Sequence, residues 1–406
     1  AMGIFGGGTG YPQNRDGDKS QDRSYVLIDI PDDVEKFKST EIFGAGSYNG
    51  LGMRYTKDQT LKDGFVLDSV SAVIDLLHGQ VGTVYGGSYN EGNTRRTVVN
   101  VPTLSTIKLK NIFGGSYGTQ ILPPCDVYET NVNYSSDNAC VTGAIYGGNN
   151  NERRSLFTNV NISSAVWSDK KKGYLGTVYG AGHGIDTWSE HTQVNLNKGA
   201  KVFNVFGGGE MGHVLNAESV QKYMILYSEE PSPQIAAQDP NWNTRYESWA
   251  KAWEDAWTLG DYFKPTASRN TYAANAATNL SRFSDRAELD DATAALLHDK
   301  NTKKFNTNVI INEGATVEGY AYGGGYGDSS EARTGDVYGT TYIALLGGIV
   351  NKDVYAAGRS GGLDDLFGAG YTASANAYIQ GGMCRNVYGG GYEGHGGHHV
   401  GDITAT

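Results

Sequence analysis

The chain has little cysteine, no excess of positive charge and no long apolar run, and each shortage removes a class of protein. Three cysteines in 406 residues, Cys125, Cys140 and Cys384, make no disulfide framework. Cys125 and Cys140 are near enough in sequence to pair across the excursion from Pro123 to Asn138, buried free thiols fit as well, and no CxxC spacing suggests a metal. Thirty-three Lys and Arg against 44 Asp and Glu give a formal net charge of −11, the wrong sign for nucleic acid, which needs a basic surface. The longest basic run, Lys170-Lys171-Lys172, lies beside Asp169 and reads as a solvated turn. Nothing approaches the roughly 18 consecutive apolar residues of a membrane span, and Ala1-Met2-Gly3 has neither the charged nor the apolar region of a signal peptide.

Glycine is abundant. Of 57 glycines all but Gly260 lie outside residues 213–300, a stretch that instead collects 15 alanines, four of the six tryptophans, and Pro231, Pro233, Pro240 and Pro265. The glycines belong to a repeat. An aliphatic residue, an aromatic one and a short glycine run recur ten times, the aromatic being Phe5, Phe43, Tyr85, Phe113, Tyr146, Tyr179, Phe206, Tyr322, Tyr355 and Tyr388. Four of the nine intervals between them are 33 residues, and a period of this size marks an array in which each unit buries its apolar face against its neighbours. The first motif starts at residue 4, and Val400-Gly401-Asp402-Ile403-Thr404 reads as the opening of another strand. Because natural arrays protect their ends with atypical repeats, a piece of a longer protein is expected.

Short period-two strands precede the motifs: 72–76, 97–101, 159–162, 192–196, 308–312, 341–345 and 376–379. With two or three such strands per repeat and turns rather than helices between them, the sequence predicts an all-β solenoid, a right-handed parallel β-helix over 1–212 and 301–406. Ten coils of about 4.8 Å each would make a rod on the order of 50 Å long. Propeller blades need four strands and roughly 40 to 50 residues, more than repeats of 33 and 27 residues supply. The glycines are expected to provide positive φ at a tight corner and close approach between coils, with the strictest position varying among copies such as Gly44-Ala45-Gly46 and Ala356-Ala357-Gly358. The aromatics are expected to stack in register as core. Phosphate cradling by Gly6-Gly7-Gly8 or Gly323-Gly324-Gly325 is set aside, since neither Gly-Lys-Ser/Thr nor a helix pattern follows.

Residues 213–300 read as an α-helical insertion within one repeat. Trp242, Tyr246, Trp249, Trp253 and Trp257 recur at steps of 4, 3, 4 and 4, one face of a helix. This stripe either docks the helices or makes a binding surface, with Trp249, Trp253 and Trp257 as its candidate residues. The residues after the motifs add Glu210, Tyr326 and Tyr392 as binding candidates, while His183, Asp186, His213, Asp328 and Glu393 are the nearby groups that lyase or hydrolase chemistry would need, none of them recurring in register. His395, His398 and His399 form the one cluster with metal-ligand spacing, suited to zinc, nickel or copper and equally to an exposed, unspecific tract. No cofactor is expected.

The strand, aromatic and glycine pattern, as in Asn386-Val387-Tyr388-Gly389-Gly390-Gly391 and Ala321-Tyr322-Gly323-Gly324-Gly325, resembles the large repetitive surface proteins of gut bacteria, particularly Bacteroidetes. The resemblance covers about residues 1–212 and 301–406; the helical insertion departs from it. It implies a secreted or cell-surface, adhesin-like protein and carries no catalytic motif to transfer. Two expectations compete: a non-enzymatic protein that presents loops and the insertion to a host or microbial glycan or surface protein, and a carbohydrate-active enzyme, a polysaccharide lyase or glycoside hydrolase, on the same scaffold. Acids converging on one groove would favour the enzyme.

Overall fold

The computed structural model describes residues 3–7, 23–31, 34–47, 72–90, 92, 94–118, 125, 127–215, 306–327, 334–360, 372–392 and 403–405. Successive side chains of a strand point to opposite faces, so an aliphatic–aromatic pair must bury two different surfaces. Ile42, Val84, Ile112, Ile145, Val178, Val205 and Val354 turn into one long aliphatic core. Their neighbours Phe43, Tyr85, Phe113, Tyr146, Tyr179, Phe206 and Tyr355 form a separate aromatic cluster.

Among the described residues the ten motifs make a ten-stranded, wholly parallel sheet in chain order, from Gly3–Phe5 to Val387–Tyr388. Aromatic faces aromatic at every step, with ring centroids 4.5 to 5.2 Å apart and planes inclined by 4 to 12°. Each such pair contributes about 0.5–1.5 kcal/mol beyond the area it buries. Phe206 lies on Tyr322 as closely as on Tyr179, although 116 residues separate the first pair, so the ladder passes uninterrupted across the longest interval.

The seven strands predicted ahead of the motifs share a second sheet of 15 strands, in which Ala72, Thr97, Thr158, Thr192, Thr307, Thr341 and Ala375 stand at one level. Ser24–Asp29 adds an edge strand and Val127–Tyr134 lies within it, between the strands that carry Thr97 and Thr158. Their alternate residues, such as Val132 and Tyr134 or Val194 and Leu196, enter the aliphatic core. A four-stranded sheet, Lys108–Leu109, Cys140–Val141, Trp167–Asp169 and Tyr174–Leu175, lies between the second sheet and the next motif in three repeats. The fold is therefore all-β with parallel sheets, and its one helical element among the described residues is the 3-10 turn Glu35–Phe37. No helix there is long and apolar enough to cross a membrane.

The first three residues of the expected helical insertion form a strand, His213–Leu215, paired with His183–Leu196 and Val337–Val350. Residues 216–305 lie outside the described residues. Cys125, Cys140 and Cys384 are free thiols, which decides the cysteine alternatives against a bridge. Ile403–Ala405 pairs with Ala375–Ala377, in keeping with the strand read at 400–404.

Of the two roles expected of the motif glycines, the structure bears out close approach and not positive φ. None of the first two glycines of a motif has a positive φ among the described residues; what they supply is close approach. A Cβ on Gly6, Gly44, Gly86, Gly114, Gly147, Gly180, Gly207 or Gly323 would stand only 2.1 to 2.3 Å from the carbonyl oxygen of the equivalent residue one repeat on. The strict position is accordingly the first, glycine in nine of ten copies, with Ala356 the exception, while alanine enters the second position at Ala45, Ala181 and Ala357.

A buried threonine occupies the space beside the glycine. Thr97, Thr130, Thr158, Thr192, Thr307 and Thr341 each donate a hydroxyl hydrogen bond of 2.5 to 2.6 Å to the first motif carbonyl of the following repeat, that of Gly114, Gly147, Gly180, Gly207, Gly323 and Ala356 in turn. Ser24 does the same for Gly44. Each bond contributes about 0.5–1.5 kcal/mol net, and together they lock one repeat to the next at the turn.

Candidate functional site

Past the two small residues the chain turns back over the aromatic ladder, and from the third repeat on the residue four positions after the aromatic lands on it. Tyr89, Tyr117, Asn150, His183, Glu210, Tyr326, Arg359 and Tyr392 occupy this position. Each donates its backbone N–H to a carbonyl one repeat earlier, at 2.8 to 3.1 Å. The corner beneath is braced by side chains: Ser116 Oγ accepts from Ser88 N at 3.0 Å, and Asn149 Oδ1 from Ser116 N at 2.9 Å. The eight side chains thus form one row, all half-buried, spaced by the strand separation of about 4.8 Å.

The rings of the row stand edge-on against the ladder ring of the preceding repeat. Tyr89 meets Phe43 at 5.2 Å, Tyr117 meets Tyr85 at 5.7 Å, His183 meets Tyr146 at 5.6 Å, Tyr326 meets Phe206 at 5.9 Å and Tyr392 meets Tyr355 at 5.3 Å, with planes inclined by 65 to 75°. Edge-to-face contact sets a positive ring edge on a negative ring face. The ladder is therefore the row's floor, and the row covers the ladder.

The middle of the row is polar. Asn150 Nδ2 donates to the Tyr85 hydroxyl at 3.1 Å, and its Oδ1 lies 3.0 Å from His183 Nδ1. This contact assigns the proton of a neutral His183 to Nδ1 and turns Nε2 toward Glu210, whose Oε2 is 4.0 Å away. Glu210 also accepts the hydroxyl of Tyr146. Burial, followed by the Glu210 charge, pushes the Tyr146 hydroxyl far above the ordinary phenol range. The far end is cationic: the Arg359 guanidinium lies between the rings of Tyr326 and Tyr392, 5.4 and 5.5 Å from their centres.

Of the residues named from sequence, Glu210, Tyr326 and Tyr392 fall in this row together with His183. His213 is buried below it, its Nε2 2.9 Å from the Ile185 carbonyl oxygen. Trp249, Trp253, Trp257, His395, His398 and His399 lie outside the described residues, and among the described residues no group of three metal-ligating side chains converges. Sequence reasoning missed Tyr89, Tyr117, Asn150 and Arg359, because their side-chain types differ. Their constant offset of four from the ladder aromatic was the available signal. Set against known proteins, the chain matches no protein-family model, no curated protein and no solved structure, so its function rests on this geometry.

Proposed function

We propose that this chain is a right-handed parallel β-helix acting as a non-enzymatic, secreted or cell-surface, adhesin-like protein, which binds a host or microbial glycan or a surface protein along the row. The observation that carries the reading is where chain length varies. From the row residue to the threonine level the chain takes 8 residues in one repeat, Tyr89 to Thr97, and 97 in another, Glu210 to Thr307. From that level to the next ladder aromatic it takes between 13, Ala72 to Tyr85, and 21, Thr158 to Tyr179. Additions thus gather on the arc that bears the row, and repeat proteins carry their additions on the binding face.

A carbohydrate-active enzyme is the second reading, and the contact of Glu210 with Tyr146 and His183 favours it. Paired-carboxylate hydrolysis needs a second acid roughly 5 to 10 Å away, whereas Glu210 is the one acid in the row. The immobilised chain, offered a panel of plant, microbial and host polysaccharides, is expected to retain at least one and to release neither reducing ends nor unsaturated sugars. Release of such products that disappears on Glu210→Gln would establish the enzyme instead. A panel left wholly unbound, with Tyr117→Ala and Glu210→Gln indistinguishable from the parent toward cell-surface extracts, would remove the binding reading.

A further inference from the structure

At the cationic end of the row a guanidinium is held by rings rather than by a carboxylate. Five other described basic groups pair with carboxylates: Arg385 with Asp353, Arg96 with Glu129, Lys172 with Asp169, His183 with Glu210 and His78 with Asp29. Arg359 pairs with no carboxylate among the described residues, and its Nε is buried without a hydrogen-bond acceptor. An orphaned guanidinium N–H in a half-buried setting is unfavourable. Its offset here is two tyrosine rings, which hold the planar group at 5.4 and 5.5 Å and fix its direction. Directly beneath in the ladder a second polar group is orphaned: the Tyr322 hydroxyl is fully buried and finds no partner among the described residues. The Arg359 charge is the strongest influence opposing burial on that hydroxyl. Two unsatisfied donors therefore meet at one step of an otherwise satisfied stack.

Building on the reading of the row as a glycan site, we infer that the Tyr326–Arg359–Tyr392 step is a subsite for a sugar bearing an oxyanion, a carboxylate or a sulfate. The guanidinium fork matches either group in a two-bond contact that a lysine cannot reproduce. Stacking has already removed much of its rotational freedom, so little ordering remains to be done on binding. The flanking tyrosine hydroxyls lie one strand spacing to either side, within reach of the hydroxyls of the same or the next sugar. The net charge of −11 adds a selectivity of its own. A densely charged polyanion is repelled by the field of the whole molecule, while an isolated anionic sugar within a neutral chain meets the Arg359 guanidinium at contact range.

The test compares three trisaccharide probes of one backbone, galactose, galacturonate and singly sulfated galactose, by calorimetric titration of the 406-residue chain. Tighter binding of at least one anionic probe, on the order of tenfold over the neutral one, is expected. Arg359→Gln should abolish that preference without altering binding of the neutral probe, and Arg359→Lys should restore only part of it. The carboxylate and sulfate arms identify which oxyanion is preferred. Equal binding of all three by the parent chain, or a preference that survives Arg359→Gln, overturns the subsite and leaves glycan binding by the row intact. No binding of any probe by the parent, where the polysaccharide panel also fails, overturns both.

Discussion

Four residues separate the ladder from the row in each of eight repeats, and the two positions could hardly differ more in what they tolerate. The ladder position is phenylalanine or tyrosine in ten copies of ten, while the row reads Tyr, Tyr, Asn, His, Glu, Tyr, Arg, Tyr from residue 89 to 392. Both are held to neighbouring repeats by backbone hydrogen bonds of similar length. Backbone pairing therefore does not demand the uniformity. Stacking does: a ladder ring must match the ring above and the ring below, whereas a row side chain has a fixed floor on one side and an open face on the other. The comparison teaches that repetition of backbone and repetition of chemistry are separable, and that chemistry varies where one side of the residue is free.

Several measurements would break or sharpen that contrast. The largest expected effect is alkaline. Burial pushes the hydroxyls of the ladder residues Tyr85, Tyr146, Tyr179, Tyr322 and Tyr355 above their ordinary value of 10.0. Groups whose folded pKa is raised contribute stability that is complete below the unfolded value and is lost as pH rises beyond it. In a titration above about pH 10, tyrosinate absorbance from the ladder and loss of the β-sheet circular-dichroism signal should therefore rise as one transition. Gradual ionisation with the sheet signal intact would mean that the rings are accessible and the ladder is not core.

The next largest effect is Gly180→Ala, which forces a methyl against the Gly207 carbonyl oxygen at 2.2 Å. Overpacking against backbone should lower stability by about 3 kcal/mol or more. Gly390→Ala, where no atom lies within 4 Å, should be nearly neutral in the same denaturation experiment. Phe206→Ala should then cost about 3 to 5 kcal/mol. The row variant Tyr117→Ala, at a half-buried site, should cost about 1 kcal/mol and show its main effect in binding. Equal losses at the two sites would erase the distinction between floor and surface. Thr192→Val should cost about 1 to 3 kcal/mol by orphaning the Gly207 carbonyl, with Thr192→Ser recovering most of it.

Much of the fold was legible because its signals are local. The aliphatic–aromatic pair needs two burial surfaces in any strand, and seven of the strands in the broad sheet follow from period-two alternation alone. Ser24–Asp29 and Val127–Tyr134 alternate too, but the first is flanked by charge and the second is interrupted by polar residues at 129–131, which hides their period in the sequence. The two-residue strands such as Lys108–Leu109 carry too few side chains to display a period. Of the two reasons the sequence offers for the motif glycines, close approach between repeats holds and positive φ does not, since sequence says that a side chain is missing and not which atom would have met it.

By itself the sequence determined the repeat, the residues that must be buried in it and the all-β class, because these depend on side-chain type and spacing along one strand. Only the tertiary structure decided that the threonine level locks each repeat to the next, and that residues as unlike as Asn150, Glu210 and Arg359 stand with Tyr89 and Tyr392 in one row. Those relations join atoms of different repeats, where a residue's neighbour is set by pairing register across strands rather than by position along the chain.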